Sequence, residues 1–370
     1  MLRGFPRLPL EVVGANPSAL HKEGVLAKQA LADARKLAAQ TLGVHPDEII
    51  FTGTATESDN LAIAGAIEGY IASGISPSEI VLYHSDIEHA AVTESASVLQ
   101  HNGVMVKVLP TTNGIINPKD ILVPLDTKVI IVSVMHVNNE IGTVQPVKEI
   151  AKRVRFLRKH NPGIEMLFHC DATQSPLHFS LSVPKLGVDM MTLGATKLYC
   201  PKGVGMLYKR RGITLQPLVF GGGQEFGLRP GTPALGLIHD FAHALSFAQN
   251  NSEVYTKKIE TLQRYFEKGL GQISEVIVTL PESIRTPHIT HIAVKDFDSE
   301  LLVLELDARG IAVSAKSACK NEEDAESEIV TKLYGKDYGA VRFSFGRTTS
   351  RKDLDKAIVA LKEVLNKYKK

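Results

Sequence analysis

The sequence predicts an α/β fold, a mostly parallel sheet with helices on both faces, followed by a smaller α+β domain. Three observations carry this prediction. Short apolar runs alternate with helical stretches over the first two thirds of the 370-residue chain, and strands joined by helices imply crossovers between parallel neighbours. Val129-Ile130-Ile131-Val132 is apolar at successive positions, as a strand covered on both faces must be. Beyond Asn250-Asn251-Ser252 the pattern changes to long helices and strands, enough chain for a second domain.

Residues 1 to about 18 hold several prolines and no clear period, and read as a loose arm. Ala19 to Leu42 has helical spacing and a glycine stop at Gly43. Then follow a strand (Glu48 to Thr52), a helix (Thr56 to Ala72), a strand (Glu79 to Tyr83), a helix (His89 to Leu99) and strands at Val104 to Leu109 and Lys128 to Val134. A helix (Pro146 to Arg158) leads to strands at Glu165 to Phe168, Val188 to Leu193 and Val204 to Tyr208. A glycine-rich loop, Gly221 to Gly231, precedes a helix from Leu235 to Gln249. The second domain reads as a helix (Glu253 to Ile273), strands (Val276 to Leu280, Ile289 to Val294), a helix (Ser299 to Ala308), strands (Ile311 to Ser314, Val341 to Phe345) and a final helix (Arg351 to Lys367). The expected division is 16–249 for the large domain, with 1–15 and 250–370 forming the small one.

Composition excludes several functions. The chain is 44% apolar and 22% charged with a net charge of +2, which gives no electrostatic footprint for nucleic acid or an anionic membrane. Cys170, Cys200 and Cys319 are odd in number and widely spaced, so neither a disulfide framework nor a zinc site is expected, and a reducing cytoplasm is. The first residues lack the apolar core of a signal peptide, and Ile121 to Val137 is too interrupted by Pro124, Asp126 and Lys128 to span a membrane.

The chemistry gathers at strand ends, where open parallel sheets bind ligands. Lys197 follows one strand, and a lysine amine in such a place either snorkels to water or forms an imine. Gly53-Thr54-Ala55-Thr56 precedes a helix, whose N-terminal N–H groups suit a phosphate, although Thr56 with Asp59 also reads as an ordinary cap. Asp171 follows another strand and can hold a protonated pyridine nitrogen, or simply cap a turn. His89 can stack on a flat ring or move protons, and Asn138-Asn139 can address a ring oxygen or make a turn. One shared site explains all five ends together, and the parts are those a pyridoxal phosphate site needs. In the second domain, Cys319 stands in a polar stretch between Lys316 and Lys320, which favour a thiolate, with acidic residues downstream that oppose it. Arg342 lies on a strand, where its guanidinium can clamp a carboxylate. A surface thiol and a surface ion pair are the plainer readings of these two.

The ordered set resembles the cysteine desulfurases, within the fold-type I, class V aminotransferase-like superfamily. It is carried by Ala55-Thr56-Glu57-Ser58, Glu88-His89, Asn138-Asn139-Glu140-Ile141-Gly142, Asp171-Ala172-Thr173-Gln174-Ser175, Lys197 with Pro201-Lys202-Gly203-Val204-Gly205, Arg229-Pro230-Gly231-Thr232, Ser317-Ala318-Cys319, and Arg342-Phe343-Ser344 with Gly346-Arg347. The resemblance implies a seven-stranded sheet and pyridoxal 5'-phosphate held by Lys197, with Asp171 at the ring nitrogen. Gln174 and Asn139 would address the ring hydroxyl and the substrate, His89 would stack and act as acid or base, Ala55 and Thr56 would bind the phosphate, and Thr196 would lie against the cofactor. Thr232 would reach the phosphate from a partner in a homodimer. Arg342 would grip the carboxylate of L-cysteine, and Cys319 would take its sulfur as a persulfide, release alanine and pass sulfur to a scaffold or other acceptor protein. The chain departs from the family's usual pattern at Thr54 (glycine), Gly194 (serine), Thr196 (histidine) and Lys316 (glycine), and its opening segment has no counterpart of the usual Asn-Ala-Ala-Thr-Thr. A selenocysteine lyase, another class V enzyme, and a non-catalytic subunit of a sulfur-transfer complex are the alternatives.

Overall fold

The computed structural model describes residues 7–315 and 328–368. The chain divides into two compact units. The first comprises the chain up to Thr111, Ile116–His136 and Gln145–Ser252, and the second Thr112–Ile115, Val137–Val144 and the chain from Glu253 onward.

The first unit opens with α1 (Leu10–Val13), α2 (Lys22–Leu42), β1 (Ile49–Thr52), α3 (Ala55–Ala72), β2 (Ile80–Ser85), α4 (Ala90–His101) and β3 (Met105–Leu109). A short two-stranded hairpin, β4 (Thr111–Thr112) and β5 (Ile115–Ile116), whose residues Thr112–Ile115 count with the second unit, precedes β6 (Val129–Ser133), α5 (Val147–His160), β7 (Glu165–Asp171), α6 (Val183–Leu186), β8 (Met190–Gly194), β9 (Gly205–Lys209) and α7 (Leu235–Leu270). Seven strands form one sheet in the order β1-β9-β8-β7-β6-β2-β3. The neighbours from β8 to β3 are parallel, and β9 runs antiparallel to both β8 and β1. The expected seven-stranded, mainly parallel sheet is therefore present.

Alternation along each strand sends side chains to opposite faces. Ile130 and Val132 of β6, with Met166 and Phe168 of β7, pack in a core that includes α2, α5 and the start of α7. Val129, Ile131 and Leu167 pack on the other side with α3 and α4. Burial on both faces explains the unbroken apolar run of β6.

The second unit adds β10 (Val276–Val278), β11 (Ile289–Lys295), α8 (Ser299–Asp307), α9 (Glu328–Tyr334), β12 (Tyr338–Ser344) and α10 (Arg351–Tyr368) to the later part of α7. Its three strands are antiparallel in the order β10-β11-β12, over a separate core that includes Phe266, Phe343 and Leu361.

Four expectations need correction. The opening arm contains α1, and its Val12 packs with Ala27 and Leu235, so residues 7–15 belong to the first unit and not to the small domain. Residues 137–144 belong to the second unit. The expected break at Asn250-Asn251-Ser252 is absent, because Asn251 Nδ2 donates to the Phe247 carbonyl at 2.8 Å and Ser252 Oγ to that of Gln249 at 3.2 Å, which lets these polar residues stay inside one 36-residue helix. Among the described residues Ile311 to Ser314 forms no strand and makes one bridge, Ser314 to Arg342.

Candidate active site

β8 ends at Gly194 and the chain tightens into a 3₁₀ turn, Ala195–Leu198, whose Ala195 and Leu198 are buried. These two anchors turn Thr196 and Lys197 outward, and both are exposed. The turn projects Lys197 off the end of the sheet, which the sequence reading of a lysine that snorkels to water or forms an imine left open.

Gly194 shows what lies beside that turn. A β-carbon on it would stand 3.2 Å from Ala55 Cβ and 3.3 Å from Thr173 Cγ2. The end of β8, the first turn of α3 and the loop after β7 therefore converge. Gly205 serves the same purpose from β9: its β-carbon would be 2.4 Å from the Thr54 carbonyl carbon, so no larger residue fits there.

α3 begins at Ala55 with a reciprocal cap. Thr54 Oγ1 accepts the Glu57 N–H at 3.1 Å, and Glu57 Oε2 accepts the Gly53 N–H at 2.7 Å. The cap is thus Thr54 with Glu57, two residues earlier than the Thr56–Asp59 pair read from the sequence. The change matters, because Ala55 and Thr56 become the first helical residues, whose N–H groups point out of the helix without an i−4 acceptor. Asp59 is freed from capping and turns inward, 1% exposed.

Asp171 is the last residue of β7 and is 8% exposed. Its Oδ1 accepts the Thr173 N–H at 2.9 Å and its carbonyl accepts the His136 N–H at 2.8 Å. Oδ2 accepts no hydrogen bond from the described residues. Gln174 lies in the following turn, which the Ser175 N–H closes onto the Ala172 carbonyl at 2.9 Å.

His89 is the N-cap of α4, and its Nδ1 accepts the Ala91 N–H at 3.1 Å. A neutral imidazole that accepts at Nδ1 carries its proton on Nε2, so His89 presents a donor. Glu88, beside it, accepts the Ser85 hydroxyl and the Met135 N–H, the latter at 2.9 and 3.0 Å, and so ties the turn after β2 to the end of β6. Burial pushes the Glu88 carboxyl up to about 8. Thr232 lies exposed in the loop before α7.

In the second unit, Asn138 makes the turn: its Oδ1 accepts the N–H groups of Glu140 at 2.9 Å and Ile141 at 2.8 Å. Asn139 follows it, half-buried, and its carbonyl accepts from Arg342 Nη1 at 2.6 Å. Arg342 Nη2 donates to Ser314 Oγ at 3.1 Å, while its buried Nε has no partner among the described residues. Burial pulls this guanidinium below its usual range, with the Glu140 charge opposing. The Arg342–Asn139 contact was not legible, since it joins residues far apart in the chain.

Cys319 lies outside the described residues, as do Lys316, Ser317, Ala318 and Lys320. The two described cysteines are poor nucleophiles: burial pushes the Cys170 thiol well up, and that of Cys200 up to about 11. Among the described residues no group of three or more His, Cys, Asp or Glu is placed to hold a metal ion, and no helix is long and apolar enough to cross a membrane.

This geometry has relatives. The description "Aminotransferase class-V" fits residues 10–357. A cysteine desulfurase IscS of Dictyoglomus turgidum is 33% identical over 359 residues, 96% of this chain and 88% of its own length. Among solved structures, a NifS-like protein matches with a TM-score of 0.85 at 29% identity, over 98% of this chain and 97% of its own. SspA, solved in complex with cysteine, matches with a TM-score of 0.74 at 30% identity, over 92% of this chain and 96% of its own. With the family pattern spanning nearly the whole chain, the chain belongs to the class-V aminotransferase family, among its cysteine desulfurases.

Proposed function

We propose that the protein is a pyridoxal 5'-phosphate-dependent cysteine desulfurase, which converts L-cysteine to L-alanine and hands the sulfur to an acceptor protein such as an iron–sulfur scaffold. The observation that carries this reading is the packing of Gly194 against Ala55 and Thr173, which sets the Lys197 turn beside the first turn of α3 and the loop that follows Asp171.

The residues fit the cofactor. Lys197 offers an exposed position for covalent attachment at the aldehyde carbon. The N–H groups of Ala55 and Thr56 suit its phosphate, helped by the positive end of the α3 dipole. Asp171 has an oxygen to spare for the proton on the ring nitrogen. Thr196 and Gln174 lie on the two loops next to these positions. Pyridoxal phosphate, when bound, supplies the electron sink that lets the carbon–sulfur bond of cysteine break.

The chain's own groups do the rest. Asp171 keeps the ring nitrogen protonated. Lys197 Nζ moves a proton at the substrate α-carbon, and His89 donates from Nε2. Asn139 and Gln174 orient the ring hydroxyl and the amino acid, and Arg342 holds the substrate carboxylate. The Cys319 thiolate attacks the substrate sulfur and becomes a persulfide as the carbon–sulfur bond breaks, and its neighbours Lys316 and Lys320 favour the thiolate. A second copy of the chain supplies Thr232 to the phosphate in a homodimer, which works in the cytoplasm without metal, membrane or nucleic acid.

Purified protein supplied with pyridoxal phosphate turns yellow under this reading, and Lys197→Ala does not hold the colour through gel filtration. With cysteine and reductant it releases equal amounts of alanine and sulfide, and Cys319→Ala does not. Bound cofactor with no alanine from cysteine overturns the assigned reaction.

A further inference from the structure

Residues 137–144 form neither a helix nor an extended strand, yet the second unit holds them closely. The segment folds back on itself. Val137 bridges Val144, and the Asn138 N–H donates to the Thr143 carbonyl at 2.9 Å. Asn138 Oδ1 closes the turn between them, and Ile141 and Thr143 are fully buried. Gly142 completes it at φ 77°, where a β-carbon would stand 3.1 Å from Ile289 Cβ, so conformation and space both call for glycine.

This turn is stitched to residues 284–289. The Val144 N–H donates to the Ile284 carbonyl at 2.9 Å, Thr143 bridges Arg285, and the Thr286 N–H donates to the Gly142 carbonyl at 2.7 Å. Residues 284–288 precede β11 and lie in no strand of the sheet, so the sheet ladder does not fix them. Side chains of α7 fix them instead. Arg285 Nη1 and Nη2 donate to the two Glu267 oxygens, each at 2.9 Å, and Thr290 Oγ1 donates to Glu267 Oε1 at 2.9 Å. Gln263 Nε2 donates to the Thr286 and Ile289 carbonyls at 3.2 and 2.9 Å. The Arg285 and Glu267 side chains are 7% and 20% exposed, so water screens this bidentate pair weakly. At the far side of the turn, the Asn139 carbonyl accepts from Arg342 Nη1.

We propose that Arg285 is a positioning residue for the substrate: clamped on Glu267, it holds the turn that carries Asn139, and the Asn139 carbonyl aims the Arg342 guanidinium. This rests on the reading of Arg342 as the group that holds the substrate carboxylate. Arg285 itself acts only through the turn. Its planar fork meets Glu267 in two parallel bonds and fixes direction as well as distance, which the ammonium of a lysine does not. Drift of the turn passes to the guanidinium through the Asn139 carbonyl, and an ångström of displacement is enough to spoil a bidentate grip on a carboxylate.

The test uses the full-length protein, with and without pyridoxal phosphate. Arg285→Met is expected to raise KM for cysteine about tenfold, with kcat and the affinity for pyridoxal phosphate within about twofold of the wild type. In an Arg342→Lys background the same change is expected to add no more than about twofold, because its effect passes through Arg342. A tenfold rise in both backgrounds would mean that Arg285 acts by general loosening, and overturns the proposal. In the cofactor-free protein, Arg285→Met is expected to speed hydrogen exchange at the Asn138, Val144 and Thr286 amides by about tenfold or more, with those of β6 unchanged. Unchanged exchange at the turn overturns the proposal as well. The paired change Arg285→Met with Glu267→Leu leaves no charge buried and carries the same expectations if the single variant fails to fold. If Arg342→Lys alone leaves KM unchanged, it is the reading of Arg342 that falls, and the exchange rates still decide whether Arg285 holds the turn.

Discussion

Gly194 and Ala55 pack so closely that a β-carbon on the glycine would stand 3.2 Å from that of the alanine. The Gly194 backbone is ordinary (φ −124°), so the restriction is one of space and not of conformation. Alanine there must push the first turn of α3 aside by a few tenths of an ångström, and valine by more. Overpacking of this kind costs about 1–3 kcal/mol, and here it falls on the N–H groups assigned to the phosphate. Gly194→Val is expected to weaken pyridoxal phosphate binding by about ten- to a hundredfold, and Gly194→Ala by less, with unchanged circular dichroism. A cofactor titration followed by absorbance reads this directly, and equal affinity in all three proteins would remove the contact from the site.

Arg342 is held on two sides, by the Asn139 carbonyl and Ser314 Oγ, and its buried Nε–H has no partner among the described residues. A lysine at that position retains the charge and loses the planar fork. Arg342→Lys is expected to raise KM for cysteine by about tenfold or more while kcat changes much less, as for a group that binds substrate and transition state alike. Steady-state kinetics over a range of cysteine concentrations separates the two. A fall in kcat at constant KM would assign Arg342 to the chemical step instead.

The sheet was legible because β6 is apolar on both faces and its neighbours end in small, polar residues; the period of two shows strands wherever burial is strong. The places of Lys197, Asp171 and His89 at strand ends were legible for the same reason, each lying just beyond an apolar run. Asp59 was misread as a capping acid, because local sequence at a helix start does not say which of two nearby hydroxyl residues is the cap. The continuous α7 was missed because Asn250-Asn251-Ser252 reads as a turn, and only the back-bonds of Asn251 and Ser252 show how a helix tolerates it. Arg342 with Asn139 joins residues 203 positions apart, and no periodicity carries that information.

The buried pair Arg35–Glu225 gives a stability prediction away from the chemistry. Arg35 Nη1 and Nη2 donate to the two Glu225 oxygens at 2.7 and 2.6 Å, and Glu225 Oε2 also accepts the Phe51 N–H of β1 at 2.9 Å. The side chains are 11% and 2% exposed, so removing one partner strands the other charge in the protein. Glu225→Ala is expected to cost about 3–5 kcal/mol in urea unfolding, and the double change Arg35→Met with Glu225→Leu less than that, because no charge is then left buried. If the double variant is the less stable of the two, direct attraction within the pair outweighs its desolvation.

The buried titratable groups predict where along the pH scale the fold is most stable. Burial holds His136 and His178 down to about 4, and His169 and His291 down to about 3, against an ordinary 6.5. Their folded values are depressed, so on acidification the unfolded chain takes up protons that the folded protein refuses, and stability is lost as pH falls from 6.5 toward 3. Glu88 acts in the opposite sense. Its folded value is raised from 4.5 to about 8, so its contribution is whole below 4.5 and is lost as pH rises toward 8, and Asp59 shifts in the same direction. Below pH 6.5 these four histidines, joined by His84 and His243, which shift the same way, outweigh the two acids, and well above it the acids dominate. The melting temperature of the cofactor-free protein should therefore peak near pH 6.5 and fall on both sides. Glu88→Gln should flatten the fall between pH 6.5 and 8, because the amide has no proton to lose while its oxygen still accepts from Ser85 and Met135. A wild-type profile that keeps rising to pH 8 would mean that Glu88 is ionised in the folded protein and that a cation neutralises it.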